Sequence, residues 1–139
     1  MTRTTTLTAL AVLCLGGLFI ATAAAQDTLA VTEIILGSEL ENGVPTTPST
    51  SFARNSGAVY CMVRLTNPSR AEGAVRISFE RAEGEPATRQ SGRTLTIPAR
   101  PRYRTVARSG TARAAGTYRC VVRAEDGSVL SHADYTITE

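Results

Sequence analysis

His132 and Asp134 stand two residues apart in "LSHADY", so on an extended strand both project from one face. A histidine beside a carboxylate is the start of a catalytic triad or of a metal site. His132 is, however, the only histidine, too few for the clusters that zinc sites need, and no serine lies in a G-x-S-x-G setting. The sequence predicts a solvent-facing pair on a hairpin strand; a small extracytoplasmic hydrolase built on these two residues is the alternative. Glu80, Glu83 and Glu85 cluster near one turn, but their spacing matches no cation-binding loop, and the carboxylates are expected at exposed positions. No phosphate loop and no dinucleotide glycine fingerprint occurs. The expectation is a non-enzymatic chain with no catalytic residue, no metal and no cofactor.

Arginine supplies the more distinctive chemistry. The 15 basic residues are all arginine, against 12 acidic ones. Between Pro86 and Ala124 the chain carries arginines and no acid at all, whereas acids outnumber arginines between residues 27 and 85. Within that basic stretch Arg100, Arg102 and Arg104 alternate with Pro101 and Tyr103, and Arg108 follows. On an extended strand, alternate residues recur on one side about every 6.8 Å. Guanidinium forks bind carboxylates and phosphates in bidentate fashion, so such a row could grip an anionic polymer or an acidic protein. The competing reading is structural, because edge strands use charge and proline to discourage pairing, and Pro98 and Pro101 flank the row. Tyr103 is the one aromatic residue inside it, too little for base stacking, so nucleic acid is not an expected partner. Arg100, Arg102, Tyr103, Arg104 and Arg108 are the candidate binding residues.

The cysteines speak to compartment. Residues 1–25 read as a secretory signal, with Arg3 at the start, an apolar run from Leu7 to Ile20 and "AAA" before Gln26. The competing reading is an uncleaved anchor, since the run approaches the roughly 20 residues that span a bilayer. Cleavage removes Cys14 and leaves Cys61 and Cys120, an even count in an oxidising compartment, which favours a disulfide. Closing so long a loop stabilises a chain by about 4 kcal/mol through lost denatured-state entropy. Residues 26–139 are then expected as one secreted or periplasmic domain with no membrane span.

Both cysteines lie in period-two alternation. Val59, Cys61, Val63 and Leu65 share a face opposite Arg64 and Thr66, and Tyr118, Cys120 and Val122 share one opposite Arg119 and Arg123. Further strands are read at 29–36, 74–81 (Val75, Ile77 and Phe79 against Arg76, Ser78 and Glu80), 93–98 and 101–108. A last strand follows Asp126-Gly127, a strong hairpin signal. No sustained helical period follows residue 25. Seven or so short strands predict an all-β antiparallel sandwich, with a closed barrel as the other solution. Residues 37–57 are too long for a plain connector. Three readings stand: a functional loop, such as one that inserts into a partner in the manner of an inhibitor, a disordered loop, or a segment that hides a short edge strand around Phe52.

A tyrosine two residues before a core cysteine, in "GTYRC", resembles the tyrosine corner of immunoglobulin domains, with Cys61 in the place of the first cysteine. That resemblance implies an immunoglobulin-like sandwich in which the Tyr118 hydroxyl bonds back to the main chain. A second resemblance covers most of residues 26–139. The order "ENGVP", "VYCMVRLTNP", "ISFERAEGEP", "RYRTVA" and "GTYRCVVRAEDGSVLS" is similar to the bacterial family known as domain of unknown function 2914. It implies a compact β domain outside the cytoplasmic membrane or appended to other modules, without an assigned activity.

Overall fold

Among the described residues the chain forms ten strands: β1 (Ala30–Gly37), β2 (Leu40–Glu41), β3 (Val44–Pro45), β4 (Ser51–Ala53), β5 (Ala58–Thr66), β6 (Gly73–Arg81), β7 (Arg93–Ile97), β8 (Arg102–Gly110), β9 (Gly116–Ala124) and β10 (Val129–Thr138). The structure, a computed structural model, describes residues 28–83 and 92–139. The expected signal segment 1–25 and Glu85 lie outside the described residues. The seven longer strands fall where the alternation puts them. The other three, β2 to β4, all come from residues 37–57, so the expected count of about seven is corrected upward by short strands that periodicity cannot register.

The strands form three sheets, ordered β1-β5-β8, β4-β10-β9-β6-β7 and β2-β3. The pairings are antiparallel except β4 with β10, which is parallel. One core joins the two larger sheets: Val59, Cys61, Val63 and Leu65 from β5 meet Val75 and Ile77 from β6, Cys120 and Val122 from β9, and Tyr135 and Ile137 from β10, all buried. Burial of each such side chain contributes on the order of 1.5–3 kcal/mol. Cys61 and Cys120 are disulfide-bonded with Cα atoms 6.6 Å apart, linking the middle strand of one sheet to the middle strand of the other. Both are fully buried.

Tyr118 donates its hydroxyl to the Ala114 carbonyl at 2.7 Å, four residues upstream. Its ring stacks on Tyr135 at 5.7 Å, and Phe52 meets Tyr135 edge-on at 5.8 Å. Phe52 is thus the reason β4 exists: its side chain closes the core while three residues pair with the end of β10. At the opposite hairpin, Asp126 accepts from the Ser128 amide and hydroxyl, which lock the turn between β9 and β10. These two hydrogen bonds, the hydroxyl's first, hold the Asp126 carboxyl below the usual aspartate range.

On β6 the structure corrects the expectation. Ser78 and Glu80 belong to the outward set yet are buried, while Phe79 is only partly buried. The reason lies on the neighbouring strand, where Arg123 holds Glu80 at 3.0 Å and donates to the Ser78 hydroxyl at 3.0 Å. A carboxylate leaves water only when a cation accompanies it. Among the described residues no helix is long and apolar enough to cross a membrane.

Candidate functional site

The outer face of β1-β5-β8 carries the arginine row, and the register explains its composition. Leu65 pairs with Tyr103, Arg64 with Arg104, Thr66 with Arg102 and Tyr60 with Arg108. Since Leu65 faces the core, Tyr103 does too, and it packs partly against the core from the far side of the strand. Arg102, Arg104 and Arg108 face out together. Arg100 departs from the expected row: it precedes β8, in a tight bend where its amide donates to the Pro98 carbonyl at 2.7 Å. The bend follows from Pro98 and Pro101, neither of which can continue a paired strand here.

Arg100 nevertheless converges with the others. Arg64, Arg100, Arg102 and Arg104 line one open groove of about 750 Å³, together with Thr32, Leu65, Thr66 and Tyr103. No carboxylate is among the described lining residues. Arg64 and Arg104 stand directly opposite each other, an arrangement that repels. Each has its own relief. Glu33 on β1 binds Arg64 at 2.9 Å, and Arg104 donates to the Asn42 carbonyl at 2.9 Å. Among the described residues the guanidinium groups of Arg100, Arg102 and Arg108 have no hydrogen bond or ion pair.

Asn42 belongs to the β2-β3 hairpin, whose Asn42-Gly43 turn has φ of 52° and 76°, the left-handed pair of a type I′ turn. The hairpin lies across the outer face. Pro45 packs so closely on Gly37 that a Cβ at Gly37 would stand 2.7 Å from the proline Cβ, and Gly43 lies against the Arg104 guanidinium. Met62, between these two anchor points, is fully buried although it faces outward. The hairpin also separates Arg108 from the other arginines. Arg108 lines a second groove of about 580 Å³ with Tyr60, Glu39 and several hydroxyls, Ser49, Ser51 and Ser56 among them.

The five-stranded sheet's outer face is built differently. Arg119 holds Asp134 at 3.2 Å, and Arg123 holds Glu80. His132 stands 3.9 Å from the same Asp134 oxygen, with both side chains about half exposed. The pair does share a face, as expected, but its carboxylate is already engaged by Arg119. Among the described residues no group of three metal-ligating side chains exists. Glu83 is exposed, whereas Glu80 is the buried partner of Arg123, not the solvated carboxylate expected.

Arg64 is the site residue that sequence reasoning missed. Its outward position on β5 was legible, but its place beside Arg104 depends on the β5-β8 register.

Comparison with known protein families and with curated proteins finds no match. Among solved structures, the chain is similar to the alkylpurine DNA glycosylase AlkC of Pseudomonas fluorescens bound to DNA containing an abasic site analog, with TM-score 0.51 and 10% identity. That likeness covers 80% of this chain and 30% of the glycosylase chain, and it is one of fold. A β-glucosidase from Kluyveromyces marxianus gives TM-score 0.47 at 10% identity, over 80% of this chain and 14% of that one. The chain therefore spans less than a third of the length of either protein.

Proposed function

We propose that the chain is a non-enzymatic, immunoglobulin-like β-sandwich module, secreted or periplasmic, that binds an anionic partner, either an envelope polymer or a protein, through the arginine face of β1-β5-β8. Three features support the immunoglobulin-like description. The disulfide joins the middle strands of two facing sheets, Tyr118 makes the corner hydrogen bond two residues before Cys120, and the hairpin β9-β10 sits beside β6 in the larger sheet. The disulfide also supports an oxidising compartment. Membership of the domain of unknown function 2914 family is part of the same proposal, resting on the quoted segments.

The observation that carries the binding reading is the convergence of Arg64, Arg100, Arg102 and Arg104 on one groove without a described carboxylate in its lining. Glu33 offsets the charge of Arg64, and the three remaining permanent cations cost stability through mutual repulsion unless a further anion joins them. Heparin and lipopolysaccharide serve as probes. Binding should weaken as salt rises, because exposed charges are screened over about 8 Å at physiological ionic strength. Arg100→Ala with Arg102→Ala should weaken it about tenfold without altering the fold, neither side chain having a described partner. Binding that ignores both salt and this double substitution defeats the proposal.

A further inference from the structure

We infer that the free edge of β8 accepts an extended acidic segment of a partner protein as an added antiparallel strand. This rests on the anion-binding reading above and names the class of partner. β8 ends its sheet, with β5 as its one strand neighbour among the described residues.

The main-chain geometry follows from the two ends of that ladder. The Thr111 amide donates to the Gly57 carbonyl at 3.1 Å, and the Asn67 amide donates to the Pro101 carbonyl at 2.8 Å. Between these ends the register runs without a shift from Ala58↔Gly110 to Thr66↔Arg102. Directly opposite residues in an antiparallel pair alternate between hydrogen-bonded and non-hydrogen-bonded. The odd-numbered residues of β8 therefore aim their amides and carbonyls at β5, and Arg102, Arg104, Val106 and Arg108 aim theirs at the open edge. No described hydrogen bond outside the sheets uses the main chain of these four.

The same residues place their side chains on the outer face. A strand added to this edge would form its hydrogen-bonded pairs with them, its own side chains opposite at a Cα separation of about 5.5 Å. Acidic residues at alternate positions of that strand would meet Arg102, Arg104 and Arg108 one for one, as cross-strand ion pairs do. Arg104 already serves Asn42, so Arg102 and Arg108 supply the unengaged charges. No proline interrupts Arg102–Gly110, so no edge amide is missing. A second copy's β8 would bring arginine against arginine, which selects for a different, acidic chain. A polysaccharide would use the guanidinium groups alone and leave the edge amides bare.

Three probes separate these cases: a capped peptide of alternating glutamate and threonine, two analogues N-methylated at alternate residues (one for each parity), and heparin. Hydrogen exchange is followed on the purified protein. The expected result is peptide binding that slows exchange of the Arg102, Arg104, Val106 and Arg108 amides at least about tenfold, with one analogue binding at least about tenfold more weakly. Equal binding of peptide and both analogues, binding without protection of those amides, or binding of heparin but not of the peptide overturns strand addition while leaving anion binding intact. Failure of peptide and heparin alike overturns both.

Discussion

The two outer faces of the molecule carry the same cation in opposite circumstances. On the five-stranded sheet, Arg119 and Arg123 are matched to Asp134 and Glu80, and Arg123 is mostly buried, with its side chain 13% exposed. On the three-stranded sheet, Arg64 has Glu33 and Arg104 has a main-chain carbonyl, but Arg102, Arg108 and Arg100 in the bend before β8 have no partner among the described residues. Guanidinium groups bound within the fold serve stability, and those left over are available to another molecule. The contrast arises from placement of acids: β6 and β10 supply them across from β9, whereas β8 faces Thr66, Arg64 and Tyr60 on β5.

The covalent link between the faces gives the largest effect. Replacing both Cys61 and Cys120 by alanine should cost about 4 kcal/mol in a denaturant titration, enough to unfold much of a small domain. On the paired face, Glu80→Ala strands a buried guanidinium and should cost roughly 3 kcal/mol, the low end for broken buried pairs, because Arg123 keeps its bond to Ser78. A loss under about 0.5 kcal/mol, the level of an ordinary surface substitution, would mean that the faces do not differ as described.

The shared core supplies a pH-dependent control. Burial raises the Tyr135 pKa above its ordinary value, with the nearby Arg113 charge opposing in lesser degree. An unfolded chain ionises this tyrosine first. Its contribution is therefore complete below about pH 10 and lost as pH rises through the higher folded value. Tyr135→Phe should remove that part of the alkaline loss, read as the difference between the two stability profiles. Its hydroxyl lacks a well-formed hydrogen bond, so stability at neutral pH should change by less than about 1 kcal/mol. Smallest in stability, and most telling for the contrast, is Glu33→Gln. It frees Arg64 in a half-exposed pair, costs at most about 1 kcal/mol, and should strengthen heparin binding several-fold.

Much of this architecture is legible in the sequence because a strand with one dry face alternates. Val59, Cys61, Val63 and Leu65 announce β5, and "GTYRC" announces both the staple and the Tyr118 hydrogen bond. Residues 37–57 resist reading because β2, β3 and β4 are two or three residues long, too short for a period, and Phe52 finds its partner only through a parallel pairing with a strand far along the chain. Of the site, the arginine row is visible along β8, but alternation alone extends it one residue too far, since prolines bend Arg100 out of the strand. Arg64 and the burial of Glu80 depend on cross-strand neighbours, and register between distant strands is a tertiary fact.

The most direct test compares one arginine pair from each outer face. Heparin affinity and thermal stability are measured for Arg100→Ala/Arg102→Ala and for Arg119→Ala/Arg123→Ala, at low and at physiological salt. The first pair should bind about tenfold more weakly with unchanged stability, and the second should lose stability with binding changed less than about twofold at temperatures where it remains folded. Equal loss of affinity from both faces would show that bulk charge, and not the arginine groove of the three-stranded sheet, holds the anion.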